Sequence, residues 1–240
     1  MPGGFGVSCR LPTGFASLDK ALGIGGLPRG RITEIFGPAS CGKTGLALAI
    51  VAHVQSTGGA AAWVDADHAF DPAFATDLGV DVNGMPVVDP ETTEQACEMA
   101  LRLADSRVLD LIIIDSAAAL VPQLEIETGI GTGNGVLHSR ALASALRRLA
   151  PSASRSGVSI LVLNQTRIRP EASSGELETS AGGPPLKLYA AVRIALSAHG
   201  RIVRFRVVKN SVAAAFGTGE LEWHAPREGA ERKRGFAERP

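Results

Sequence analysis

Residues 37–44 read Gly-Pro-Ala-Ser-Cys-Gly-Lys-Thr, a complete G-x-x-x-x-G-K-[ST] pattern. The pattern restricts the fold because it works only as a tight loop between a strand and the start of a helix. Both flanks are present. Arg31-Ile-Thr-Glu-Ile-Phe36 is an apolar, β-branched run, and Gly45-Leu-Ala-Leu-Ala-Ile-Val-Ala-His-Val54 has helical character. In that setting the loop from Gly37 through Pro38, Ala39, Ser40 and Cys41 to Gly42 cradles phosphate oxygens, and the helix dipole favours their charge. Lys43 is expected to reach the β- and γ-phosphates, and Thr44 to ligate Mg²⁺. The reading is a site for a nucleoside triphosphate, with magnesium as its metal.

The rest of the chain agrees with such a fold. Strands are expected at 31–36, 60–66, 86–88, 109–115 and 158–164, and helices at 43–57, 72–78, 91–106 and 136–150. Strands that alternate with helices imply right-handed βαβ units and a parallel sheet. The 109–115 run is apolar on both faces, as a central strand requires. A hydrophobic fraction of 45% with only 5% aromatics suits a sheet covered by helices. Alternation at 191–198 and 201–208 around His199-Gly200 predicts a hairpin that adds antiparallel strands. Residues 1–10 read as a flexible lead, 170–185 as a mobile loop, and 217–240 as a short charged tail, disordered over 225–240. No apolar run of about 18 residues predicts a membrane span. The N-terminus lacks the basic-then-apolar pattern of a signal peptide. Three cysteines (Cys9, Cys41, Cys97) without metal-ligand spacing point to a reducing, cytoplasmic setting.

Asp115 closes the most apolar strand, where a carboxylate would anchor Mg²⁺ near the loop. Ser116 follows rather than an acid, so a group that activates water must come from elsewhere. Asp65 and Asp67 share a face if their strand continues, and Asp67 is the candidate base. Gln165, at the end of the 158–164 strand, is placed to sense a γ-phosphate and pass the signal to the loop beyond it. Charge is segregated although the net charge is zero. Residues 60–127 hold 14 acids and two bases, whereas 128–170 hold no acid and six arginines. Arg140 and Arg147 are seven apart and share a helix face. Arg167 and Arg169 open the second loop. Two glycine-containing segments with arginines and no stacking aromatics suit backbone-directed, sequence-tolerant contact with single-stranded nucleic acid.

Over residues 11–216 the chain resembles the bacterial RecA recombinase family. The resemblance rests on Leu11-Pro-Thr-Gly-Phe through Gly-Leu-Pro-Arg-Gly30, Val64-Asp-Ala-Asp-His-Ala-Phe-Asp-Pro72, Leu111-Ile-Ile-Ile-Asp-Ser-Ala-Ala-Ala-Leu120, Leu163-Asn-Gln-Thr-Arg167 and Gly182-Gly-Pro-Pro-Leu-Lys-Leu-Tyr-Ala-Ala-Val-Arg193, in that order. It implies an α/β, RecA-like P-loop ATPase core: a mostly parallel central sheet flanked by helices and extended by an antiparallel hairpin. It further implies a DNA-dependent ATPase with ATP and Mg²⁺ as cofactors, single-stranded DNA and homologous duplex as partners, and a role in recombination, repair and the SOS response. By resemblance Asp71 and Phe74 hold adenine, Asp67 stands at the catalytic glutamate's place, and Gln165 is the switch glutamine. The segments at about 127–135 and 166–182 are the DNA-binding loops, with Arg140, Arg147, Arg167 and Arg169 facing DNA. Lys209 keeps one of two lysines that reach a neighbour's ATP, and Ser211 replaces the other. Leu188 replaces an interface phenylalanine. The docking helix and the separate C-terminal domain are expected to be absent. These departures imply weakened hydrolysis and impaired filament assembly. They leave open an accessory protein that contacts a repair polymerase or a full-length recombinase.

Overall fold

Strands apolar on both faces need a helical layer on each side, and the chain supplies two. The computed structural model describes residues 9–128, 135–168, 178–224 and 235–239. In order the elements are β1 (Arg10–Leu11), α1 (Ala16–Leu22), β2 (Leu27–Pro28), β3 (Ile32–Gly37), α2 (Lys43–Ser56), β4 (Ala61–Asp65), α3 (Pro72–Asp77), β5 (Val87–Val88), α4 (Thr93–Asp105), β6 (Leu111–Asp115), α5 (Gln123–Thr128), α6 (Gly135–Ser156), β7 (Ser159–Ile168), β8 (Glu178–Ser180), α7 (Pro185–Tyr189), β9 (Val192–His199), β10 (Ile202–Asn210), β11 (Thr218–His224) and β12 (Gly235–Glu238).

The main sheet runs β12-β11-β10-β9-β3-β7-β6-β4-β5, with β8 paired to β7. From β9 to β5 every neighbour is parallel, and β10, β11 and β12 continue it antiparallel. This is the expected α/β core. Period-two alternation divides β6 between two apolar layers. Leu111 and Ile113 join the cluster under α2 and α1, while Ile112 and Ile114 join the one under α4, α6 and α7. Helix α4 starts two residues later than position 91, because Thr92 caps it: its side chain accepts from the Gln95 N–H at 3.0 Å, and Gln95 reaches back to the Glu91 N–H at 2.9 Å.

Several expectations differ. The hairpin at 192–210 is the inner half of a four-stranded antiparallel extension. Thr218–His224 pairs with β10, and Gly235–Glu238 pairs with β11, so those parts of the expected tail are sheet. Their signal is weak because β11 buries only Leu221 fully and β12 is four residues long. Strand β7 runs beyond Gln165 to Ile168 and pairs with β8, so the described ends of the second loop are ladder. Arg10 belongs to β1 rather than to a flexible lead. The rest of that lead that precedes Cys9, the glycine-rich stretch 129–134, residues 169–177 with Arg169, and residues 225–234 lie outside the described residues.

Candidate functional site

The phosphate loop joins β3 to α2 at the carboxyl edge of the parallel strands, where open α/β sheets place ligands. Its crest, Pro38 to Ser40, is exposed, and Lys43 lies beneath it at 9% exposure. The Lys43 ammonium donates to the Pro38 carbonyl at 2.6 Å and the Gly37 carbonyl at 3.2 Å, which holds the loop in a ring. Gly42 has φ +93°, a left-handed turn that only glycine makes without strain. A Cβ on Gly37 would meet Cys41 Sγ at 2.8 Å. Burial pushes the Cys41 thiol up, so it remains a protonated filler inside the loop.

Asp115 ends β6 directly opposite Asp65 of β4. The Thr44 hydroxyl donates to Asp115 Oδ2 at 2.9 Å, which brings together the two side chains expected at magnesium. Among the described residues no cluster of three or more His, Cys, Asp or Glu could hold a metal unaided. That suits magnesium, which draws most of its octahedral shell from phosphate and water. The loop and the Thr44–Asp115 pair fit a triphosphate and its metal.

Burial pushes the Asp115 carboxyl up to about 6; the Thr44 hydroxyl opposes the rise, and the neighbouring Asp67 and Asp65 carboxylates add to it. The sign follows from linkage. The folded chain holds this proton more tightly than the unfolded chain, whose value is 3.8. Ionised Asp115 therefore opposes folding fully above about pH 6, and the opposition fades as pH falls toward 4. In EDTA, Asp115→Asn is expected to raise the urea midpoint at pH 7.5 and to lose most of that advantage at pH 4.5. An equal gap at both values would mean that Asp115 is not the buried charge responsible.

Strand β4 ends at Asp65, so Asp65 and Asp67 do not share a strand face. Asp65 is buried and turns the chain, accepting from the Ala69 and Phe70 N–H groups at 3.2 and 2.8 Å. Asp67 is exposed and held by Ser116, whose hydroxyl donates at 3.0 Å and whose N–H donates at 3.2 Å. Sequence reasoning noted Ser116 only as a missing acid; in the structure it is the clamp that keeps Asp67 beside Asp115. The Asp115–Ser116 peptide is cis. Gln165 is exposed and pairs with Gly37 across β7 and β3, adjacent to the first loop residue. Its carbonyl accepts from the Ala181 N–H at 2.8 Å, the start of the return from the second loop.

Asp71 caps α3, accepting from the Ala73 and Phe74 N–H groups at 2.9 and 3.1 Å. Phe74 lines a cavity with the phosphate loop, Trp223 and Phe236. The last two were missed because they lie in the expected tail. Lys209 stands apart from the loop. It is opposite Arg193, level with Glu34 of β3, and donates to the Lys187 and Leu188 carbonyls at 2.8 and 3.2 Å. Leu188 is 74% exposed on α7. Arg140 and Arg147 are exposed along α6, about 10 Å apart along its axis. Arg148 beside them reaches Glu98 at 4.0 Å. Arg167 lies in β7, with its backbone paired to Thr179.

A phosphate loop at a parallel-sheet edge, with a strand-end carboxylate bonded to its threonine, defines a P-loop α/β protein. The RecA N-terminal domain model matches residues 7–225. Protein RecA of Frankia casuarinae is 47% identical over 222 residues, covering 88% of this chain and 64% of that protein. Protein RecA of Thermus aquaticus is 46% identical over 223 residues, covering 88% and 66%. Protein RecA of Mycolicibacterium smegmatis is 46% identical over 222 residues, covering 88% and 64%. The chain belongs to the RecA family. It spans less than two thirds of the length of these relatives. No helix among the described residues is long and apolar enough to cross a membrane.

Proposed function

We propose that this chain binds ATP with magnesium and binds single-stranded DNA, with ATP hydrolysis coupled to the DNA, in homologous recombination and repair. The observation that carries this reading is the position of Gln165. It neighbours Gly37 of the phosphate loop on one side. On the other side, β7 continues through Thr166 and Arg167 into the second arginine-bearing loop. A contact between the Gln165 amide and a terminal phosphate would move the strand that carries the loop, an order–disorder coupling of the nucleotide-switch kind.

In this reading Lys43 and the loop N–H groups hold the phosphates, and Thr44 and Asp115 hold magnesium. The metal supplies charge neutralisation at the transferred phosphoryl group. Asp67, oriented by Ser116, accepts a proton from water. The aspartate is one methylene shorter than the family's glutamate, so turnover is expected to be slow. Lys209, level with Glu34 rather than with Gly37, and exposed Leu188 suit contact with a neighbouring copy. Arg140, Arg147, Arg167 and Arg169 contact the sugar–phosphate backbone.

Steady-state ATP hydrolysis with and without single-stranded DNA tests the reading. Stimulation by DNA is expected, and a rate indifferent to DNA would break the proposed coupling. Replacing Arg167 and Arg169 together by alanine should weaken single-strand binding evenly across sequences. Loss of two phosphate contacts should also flatten the slope of log affinity against log salt by about 1.4. An unchanged slope would remove both arginines from the DNA interface.

A further inference from the structure

The turn from β2 to β3 places an arginine on each side of one glycine. Gly30 has φ +69°, and a Cβ there would meet Ser154 Cα at 3.3 Å and the Ala153 carbonyl at 3.4 Å. The turn therefore lies against the last turn of α6, with Arg29 and Arg31 flanking the contact. Strand β1 adds Arg10. Its guanidinium donates to the Ile24 carbonyl at 3.0 Å and packs so closely on Gly25 that a Cβ there has no room. Arg29 Nε donates to the Arg10 carbonyl at 3.4 Å, and the Arg29 N–H donates to the Cys9 carbonyl at 3.0 Å. The three arginines line a cavity of about 610 Å³, with Ile24 and Val212 in its wall. Among the described residues no acid lines it.

Charge at this cavity is unbalanced. Arg29 pairs with Asp110 at 2.7 Å. Arg10 and Arg31 are exposed and make no ion pair among the described residues. Against three positive charges, Asp110 and the carbonyl end of α6, about half a charge, leave roughly +1.5 unmet. We infer that the cavity is a second anion site, which takes the phosphate group of a small organic phosphate monoester. Such a group carries about −1.5 to −2 and offers three acceptor oxygens, which several guanidinium forks can share. A carboxylate offers one charge and two oxygens. The volume falls in the range of small-molecule sites and exceeds what a bare phosphate fills. Ile24 and Val212 give the carbon part an apolar wall. Arg10 and Arg29 are already held by carbonyls and by Asp110, so little ordering is lost on binding. The site stands apart from the nucleotide reading. Strand β3 begins at Ile32 beside the cavity and ends at Gly37 in the phosphate loop, so about 20 Å of strand separates the two.

The test titrates glycerol 3-phosphate, without metal, into the full chain carrying Lys43→Ala, so that the phosphate loop contributes least. Glycerol is the uncharged control. Calorimetry reads affinity, and alkylation of Cys9 by iodoacetamide, followed by mass spectrometry on this chain and on the parent, reads location. Cys9 lines this cavity and is half-buried, whereas Cys41 and Cys97 are buried. Saturating glycerol 3-phosphate is expected to slow Cys9 alkylation about threefold or more, and glycerol to leave it unchanged. Arg10→Ala and Arg31→Ala should each weaken binding about 10-fold, and Arg31→Glu should abolish it. Neither arginine leaves a carboxylate unpaired, and an unchanged melting midpoint shows that each variant is folded. Inorganic phosphate should bind more weakly than the monoester, and equal affinity overturns the organic ligand. No binding, binding that survives Arg31→Glu, or binding that leaves Cys9 unprotected overturns the site, whatever MgATP does at the phosphate loop.

Discussion

Lys43→Ala is expected to abolish measurable binding of ATP and of tripolyphosphate. The ammonium is buried beneath the loop crest, where its charge is little screened by water, and two carbonyls of its own loop position it. Its removal takes away the main cation proposed for the β- and γ-phosphates and the brace that ties Gly37 and Pro38 to the start of α2. A charge-assisted contact in a partly dry site contributes more than a surface one. The loop also loses preorganisation, so a decrease of about 100-fold or more is expected. The fold should survive, because the partners of the lost ammonium, the Gly37 and Pro38 carbonyls and the Cys41 thiol, are uncharged and no buried charge is left unpaired. Calorimetric titration with MgATP, with circular dichroism as the fold control, reads the result. An affinity within threefold of the parent would mean that the loop does not bind phosphate.

Arg193→Met is expected to be the most destabilising single change away from the nucleotide site. Glu34 sits at the middle of β3 with 0% exposure, and Arg193 of the adjacent β9 is its counter-ion. The Arg193 guanidinium also lies 4.4 Å over the Phe36 ring and donates to Ser180 Oγ at 3.2 Å. Asn164 of β7 completes the network, donating to Glu34 at 2.9 Å and to the Ala181 carbonyl at 3.0 Å. Removing one partner leaves a buried charge uncompensated, at about 3–5 kcal/mol. For a chain of this size that lowers the melting midpoint by roughly 10 °C. The double variant Glu34→Gln/Arg193→Met should recover part of the loss, since the isolated charge is then gone. Thermal unfolding of the three chains decides it, and a single variant within 1 °C of the parent would contradict the network's weight. Amide exchange at Ala181 should accelerate in the single variant, because Ser180 and Ala181 are tied to the sheet through these side chains.

How much of this was readable in advance depended on how local each signal is. The phosphate loop, its strand and its helix were legible because their geometry is specified within about 20 consecutive residues. Asp115 was legible because a lone carboxylate ends an otherwise apolar strand. Glu34 was not. It lay inside a run read as apolar, and its tolerance depends on Arg193, 159 positions away. Ser116 looked like an absence until the chain reversal after Asp65 brought Asp67 back to it. Strands β11 and β12 escaped notice because each carries few large apolar residues, Leu221 and Trp223 in one and Phe236 in the other, too few to set a pattern. Asp71 and Phe74 came by family resemblance, and cavity geometry alone would place only Phe74 at the ligand.

The union of β12 with α1 also bears on when the site is completed during synthesis. The Ser17 N–H donates to Glu238 Oε1 at 2.9 Å across 221 positions, and Phe15 meets Phe236 edge to face at 6.3 Å. A ribosome delivers the phosphate loop early and this clasp nearly two hundred residues later. Closing so long a loop is slow compared with forming local helices. A nascent chain therefore carries an open-sided loop until residues 235–238 emerge and dock, and only then does the cavity beside the loop acquire its Phe236 side.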